Sequence, residues 1–225
     1  VIVNRIWQQH FGRGLVATPD NFGRQGTLPS HPQLLDWLAE QFVRDGWSLK
    51  QLHRRIILTQ TYRLSSDLEP GNADKNIPQS VDPENIHLWR FSRRRLEAEV
   101  IRDSMLAVTG LLDRSQGEAH PFKPWYSARF SLNRPFHEEF STNRRSVYMM
   151  TQRLFRNSFL GLFDGPDRNS STSRRDSSNV PSQALYLMNS SFVKEQADAL
   201  ARRLIEETKE DEPRIARLDR KSTRL

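Results

Sequence analysis

Residues 91–112 read FSRRRLEAEVIRDSMLAVTGLL, and this stretch decides the fold class. Ser92 suits a helix N-cap, with Phe91 before it and Leu96 at the fourth helical position as a hydrophobic staple. Gly110 suits a left-handed C-terminal stop. Glu97, Ile101, Met105 and Val108 follow one row; Leu96, Val100 and Ala107 follow another. Apolar groups on two flanks describe a helix covered on two sides, so it is expected to be the most buried element of the fold. Arg93, Arg94 and Arg95 stand against the helix dipole. They fit either ion pairs with distant acids or an anion site built from guanidinium groups.

Working outward, further helices are expected at residues 1–11, 31–45, 48–61, 152–163, 181–189 and 192–207. Val3, Ile6, Trp7, His10 and Phe11 share a face of the first, with Asn4, Arg5, Gln8 and Gln9 opposite. Ser30 is read as the cap of the second, with Pro32 in its first turn. Ser48 and Gln51 form a capping box for the third. Val193, Ala197, Leu200 and Leu204 should face inward from the last. Residues 64–85 read as an open loop, 86–90 as a short extended piece, and 146–151 as a short strand. Residues 112–145 carry Trp125, Tyr126 and four phenylalanines, which want burial, so an ordered excursion is expected. The fold class is therefore mainly α: a single multi-helix domain over residues 1–212, with long ordered loops and at most a small two-stranded β element. Residues 213–225 read as a truncated continuation, and the last of them resemble translated sequencing-adapter sequence. The chain opens in mid-pattern with Val1-Ile2-Val3-Asn4, so it is expected to be a fragment of something longer.

Composition narrows the function classes. The 225 residues suffice for a proper core. There is no cysteine, which excludes disulfides, thiolate metal sites, thiol nucleophiles and covalent haem attachment within this stretch. No apolar run is long enough to span a membrane. The net charge of +7 invites a nucleic-acid reading. However, residues 213–225 hold five basic side chains against Asp219 alone, and the rest has 29 basic against 26 acidic residues. The remaining arginines are scattered pairs rather than a stripe, so nucleic-acid binding is disfavoured.

No histidine pair has metal-ligand spacing, and neither a Gly-x-Ser-x-Gly elbow nor a phosphate-binding glycine loop occurs. Glu138 and Glu139 are adjacent and cannot share a face. The informative polar stretch is 164–179. Asp164, Asp167, Asn169 and Asp176 offer oxygen ligands that suit a hard cation such as Ca²⁺. Arg174 and Arg175, with Arg93 and Arg95 on the central stretch, are the anion-site or structural-clamp candidates. In the clamp reading the arginines pair with Asp164, Asp167 and Asp176, or with the more distant Glu97 and Glu99.

Three groups of motifs carry a family resemblance. The first is VNRIWQQHFGRGLV at 3–16, followed by TPDNFG at 18–23, Ser30-His31-Pro32 and LDWLA at 35–39. The second is RLEAE at 95–99 with Ile101-Arg102-Asp103. The third is FDGPD at 163–167, then Arg174-Arg175, PSQAL at 181–185 and Asn189. Together they resemble the planctomycete domain of unknown function numbered fifteen fifty-three, from Val1 to about Leu218. The resemblance implies a C-terminal part of a large exported protein, extracytoplasmic, in the periplasm or at the cell surface. It also implies haem c in an upstream cytochrome domain, none of it held here, and the other domains of the parent chain as partners. It brings no established activity.

Two function classes stay open beside the disfavoured nucleic-acid reading. One is a non-catalytic accessory or interaction domain of a cytochrome-c-associated protein. The other is a metal-dependent hydrolase or polysaccharide-acting enzyme using the Asp164–Asp167 loop, with Trp125 and Tyr126 as an aromatic wall.

Overall fold

The computed structural model describes residues 1–67, 77–117, 141–153 and 156–222. Among them the chain is mainly helical, and the one strand-type pairing is an isolated parallel bridge between Asp113 and Arg144. The chain divides into two compact units, Val1–Arg94 and Arg95–Leu225.

In the first unit, α1 (Ile2–Phe11), α2 (Pro32–Arg44) and α3 (Leu49–Ile57) enclose a core of Val3, Trp7, Phe11, Leu15, Leu38, Phe42, Leu52 and Ile56. Gly12 ends α1 at φ 80°, and Ser48 caps α3 by accepting from the Gln51 N–H at 3.4 Å. Helix α3 stops at Ile57, short of the expected end, and a 3₁₀ turn follows at Thr61–Arg63. Two polar residues assigned to the outer side of α1 are in fact buried. Asn4 is 0% exposed, and its amide donates to the Val16 carbonyl at 3.0 Å and accepts from the Val16 N–H at 2.8 Å. One side chain thus satisfies both backbone groups of a buried loop residue, which hydrophobic periodicity cannot foresee. Gly14 makes room for it, since a Cβ there would lie 2.6 Å from the Asn4 amide. Gln8 is the second. Ser30 does not cap α2: its hydroxyl donates to the Leu15 carbonyl, and His31 stands at the N-cap. After α4 (Ile77–Val81), residues 82–92 form a tight knot in place of the expected extended piece. Asp82 accepts from the N–H groups of Ile86 and His87, and Asn85 donates to the Arg90 carbonyl and the Ser92 hydroxyl.

That knot removes Ser92 from the central helix. In the second unit, α5 runs Ala98–Thr109, five residues later than the expected start, with Glu97 at the N-cap. Starting after Arg93, Arg94 and Arg95 takes three cations out of the positive end of the helix dipole. Gly110 ends it at φ 82°, as read. The buried row is Ala98, Arg102, Leu106 and Thr109, while Leu96, Val100 and Ala107 are exposed. Burial therefore follows the row that contains an arginine, opposite to what apolar counting suggests. Arg102 donates to the carbonyls of Thr142 and Arg144 and to the Ser146 hydroxyl. Asp103 accepts from the Ser146 N–H at 2.8 Å and its hydroxyl at 2.7 Å. Held this way, Ser146–Tyr148 is a 3₁₀ turn rather than a strand.

The helix expected at 152–163 is reduced to α6 (Ser158–Leu162), capped by the Asn157 side chain. Phe159, Leu160 and Phe163 pack with Ala98 and the Tyr186 ring. Helix α7 (Pro181–Asn189) has the expected bounds, and α8 (Ser191–Glu207) begins one residue early. Ala197 is exposed on α8, and its buried row holds Gln196, which accepts from the Thr109 hydroxyl, and Leu204. Helix α9 (Asp211–Ser222) runs across the boundary expected at residue 212. The expected aromatic excursion lies largely outside the described residues, with Trp125, Tyr126, Glu138 and Glu139. So do residues 68–76 of the expected open loop.

Candidate functional site

The second unit gathers its charges where α5 begins. Asp164 follows Phe163 with φ 61°, a left-handed conformation that aspartate tolerates because its short polar side chain can hydrogen-bond locally. Gly165 then folds back so that its N–H donates to the Leu160 carbonyl, and a Cβ there would meet that oxygen at 2.6 Å. The turn aims the Asp164 carboxylate at Ser178, whose N–H donates at 2.8 Å and whose hydroxyl donates at 2.8 Å. The Arg95 guanidinium donates to the same carboxylate at 3.3 Å and to the Ser178 carbonyl, and lies 5.4 Å from the centre of the Phe163 ring. Burial pushes the Asp164 pKa up, but the Ser178 hydrogen bonds and the charges of Arg95 and Arg156 outweigh it and hold the carboxyl below its ordinary value. Buried Gln183 completes the joint, donating to the Leu162 carbonyl at 2.9 Å and the Ser178 hydroxyl at 3.3 Å.

Beside it, Arg175 pairs with both carboxylates at the start of α5, Glu97 at 3.2 Å and Glu99 closer still. Arg156 donates to the Gly165 carbonyl, and Arg168 to the Gln152 carbonyl at 3.1 Å. Burial lowers the Arg168 pKa, helped by the neighbouring Arg156 cation and opposed by Glu99. Arg95, Arg156, Arg168 and Arg175 thus interleave with Glu97, Glu99 and Asp164. Each guanidinium fixes a loop or a helix start, and each carboxylate accepts from a fixed donor.

Of the residues singled out in the sequence, the structure brings together Asp164, Arg95 and Arg175. It does not bring in the rest. Asp167 is exposed and accepts from the N–H and side-chain amide of Asn169, an Asx turn in which the Asn169 amide also donates to the Arg153 carbonyl at 3.2 Å. Arg174 and Asp176 are exposed. Arg93 pairs with Asp67 in the first unit. Asp164, Asp167, Asn169 and Asp176 therefore do not converge, and no group of three or more metal-binding side chains occurs among the described residues. The donors around Asp164 are N–H, hydroxyl and guanidinium groups, which stabilise its carboxylate as an anion. Sequence reasoning missed Arg156, Arg168 and Ser178. Nothing in their spacing marks them, because their partners are backbone carbonyls and one turn-borne carboxylate.

A family model described as PSD1, protein of unknown function (DUF1553), matches residues 1–224, and the chain belongs to that family. Neither the curated proteins nor the solved structures contain a match.

Proposed function

We propose that this member of the family is a non-catalytic accessory domain of a larger exported protein, making contacts with other domains of its parent chain. The observation that carries this reading is the state of the carboxylates. Asp164 accepts from Ser178 and Arg95, while Glu97 and Glu99 share Arg175. General acid–base work needs a carboxyl free to take or give a proton to substrate, near its working pKa. Asp164, saturated by fixed donors and held below its ordinary value, does other work: it locks the turn after α6 to Ser178 and Arg95. The hydrolase alternative asks Asp164 and Asp167 to face one cleft, and their partners are separate.

The association with a haem c domain upstream and an extracytoplasmic location rest on the resemblance of the 3–16, 95–99 and 163–167 motifs. The chain has no cysteine with which to hold such a haem itself. No helix among the described residues is long and apolar enough to cross a membrane.

Cross-linking of the whole parent protein, read by mass spectrometry, tests the reading. Links from this domain to other domains are expected. Incubation with polysaccharides and with phosphate and sulfate esters, with and without Ca²⁺, is expected to give no turnover. Turnover abolished by Asp164→Asn in a variant that still folds would overturn it.

A further inference from the structure

Around α6, two stretches of the second unit are laced together by arginines that cross in both directions. Arg156 donates to the Gly165 carbonyl, and Arg168 reaches back to donate to the Gln152 carbonyl at 3.1 Å. Beside the second of these, the Asn169 amide donates to the Arg153 carbonyl at 3.2 Å. Each guanidinium is therefore held over the stretch of chain that carries the other. Burial lowers the Arg168 pKa, and the Arg156 cation is near enough to lower it further. Two like charges have been brought to one place and fixed there.

Their neighbours in the same cluster are neutralised and these two are not. Arg95 has Asp164, and Arg175 has Glu97 and Glu99. Arg156 and Arg168 make no ion pair with any described residue. The carboxylates whose charge does reach them are already engaged: Asp164 by Ser178 and Arg95, Glu99 by Arg175. A backbone carbonyl offers a partial charge and accepts from one N–H here, which leaves each five-donor guanidinium with N–H groups to spare. A glutamine amide could serve either carbonyl without importing a charge. The fold thus keeps two adjacent cations for which it supplies no anion. Arg156 is exposed and Arg168 half-buried, so the place is open to solvent.

We propose that Arg156 and Arg168 form a binding site for a tetrahedral oxyanion of the phosphate or sulfate type. Planar guanidinium forks match such oxygens two at a time, and a doubly charged ion offers enough of them for both arginines. It would also cancel the repulsion between the two cations, which a neutral ligand cannot do. A free ion and the same group carried as an ester present the same oxygens. The inference concerns binding alone and does not rest on the accessory reading given above.

Isothermal titration of the 225-residue chain with inorganic phosphate and with sulfate, at constant ionic strength against chloride, tests the proposal. Saturable binding of at least one is expected. Glucose 6-phosphate is the third titrant: tighter binding than inorganic phosphate assigns the site to an ester, weaker binding to the free ion. Arg156→Gln and Arg168→Gln each keep an N–H for the carbonyl and should weaken binding about tenfold or more, the worth of a charge-assisted hydrogen bond. Arg174→Ala removes an equal but exposed charge nearby and should leave binding unchanged. A readout on the unaltered chain needs no variant to fold. The bound ion should protect Arg156 from phenylglyoxal, followed by peptide mass spectrometry, and leave Arg174 equally modified with and without it. Absence of saturable binding by all three titrants overturns the proposal. So does binding that both glutamine variants retain at full strength, or bound ion that leaves Arg156 unprotected.

Discussion

Single residues carry the second unit. Arg174 and Arg175 are neighbours in sequence, both flagged as clamp candidates, and the structure separates them: Arg174 is exposed, Arg175 bridges Glu97 and Glu99. Arg174→Ala should change the unfolding free energy by roughly 0–1 kcal/mol. Arg175→Ala leaves two half-buried carboxylates side by side without their cation and should cost about 1–3 kcal/mol. Arg102→Ala should cost more, about 3–5 kcal/mol, because it strips donors from two loop carbonyls and leaves Asp103 beside an empty space. Urea unfolding of the three variants gives the order directly. Charge chemistry made Arg175 legible in the sequence, since an apolar-free loop between two core elements needs a polar anchor. Arg102 was not legible: an arginine in a buried row looks like surface until its carbonyl partners, forty residues away, are known.

Titration offers a second residue-scale test. His10 Nε2 and His53 Nδ1 lie 2.8 Å apart, so one ring must be a neutral acceptor. Burial lowers the His10 pKa, and the nearby His53 and Arg94 charges lower it further. A histidine with a depressed folded pKa contributes stability that is present above the unfolded value, about 6.5, and lost as pH falls through the folded value. Stability should therefore decline below about pH 6.5, and His10→Gln should flatten that decline. Asp164, also depressed, acts with the same sign in a lower window: its contribution is present above about pH 4 and is lost as the carboxyl protonates. Unfolding curves collected from pH 8 to 3 separate the two windows.

At the scale of elements, helix ends were legible when the signal was local and misleading when a distant group competed for the same atom. Gly12, Gly110 and Ser48 terminate or cap as their types dictate. Ser92 has the right chemistry for a cap, but Asn85 donates to its hydroxyl, and the arginines that follow prefer to stay outside the dipole. Ser92→Ala should thus leave the helix content measured by circular dichroism unchanged. Asn157→Ala removes a cap in use and should cost about 0.5–2 kcal/mol. The short α6 illustrates the same limit, since five residues with only Phe159, Leu160 and Leu162 apolar have no period of their own to distinguish them from a longer helix.

At the scale of the molecule, length and composition suggested one domain through residue 212, while the folded chain forms two compact units divided after Arg94. Sequence could not mark that division, because no glycine- or proline-rich linker separates Phe91 from Ala98, only a run of arginines. Each unit has its own apolar centre, Leu52 and Ile56 in the first, Ala98 and Phe159 in the second. Local openings in proteins follow such cooperative groups. Leu52 is fully buried, and Leu52→Ala should destabilise by about 2–5 kcal/mol through lost transfer energy and a residual cavity. If each unit opens on its own, amide exchange should accelerate across α1, α2 and α3 and stay unchanged in α5 and α8. Leu106→Ala, the equivalent truncation at a fully buried position of α5, should produce the mirror pattern. Exchange that rises equally in all five helices for both variants would show that the two cores melt as one, and the single-domain reading of the length would then be the better description.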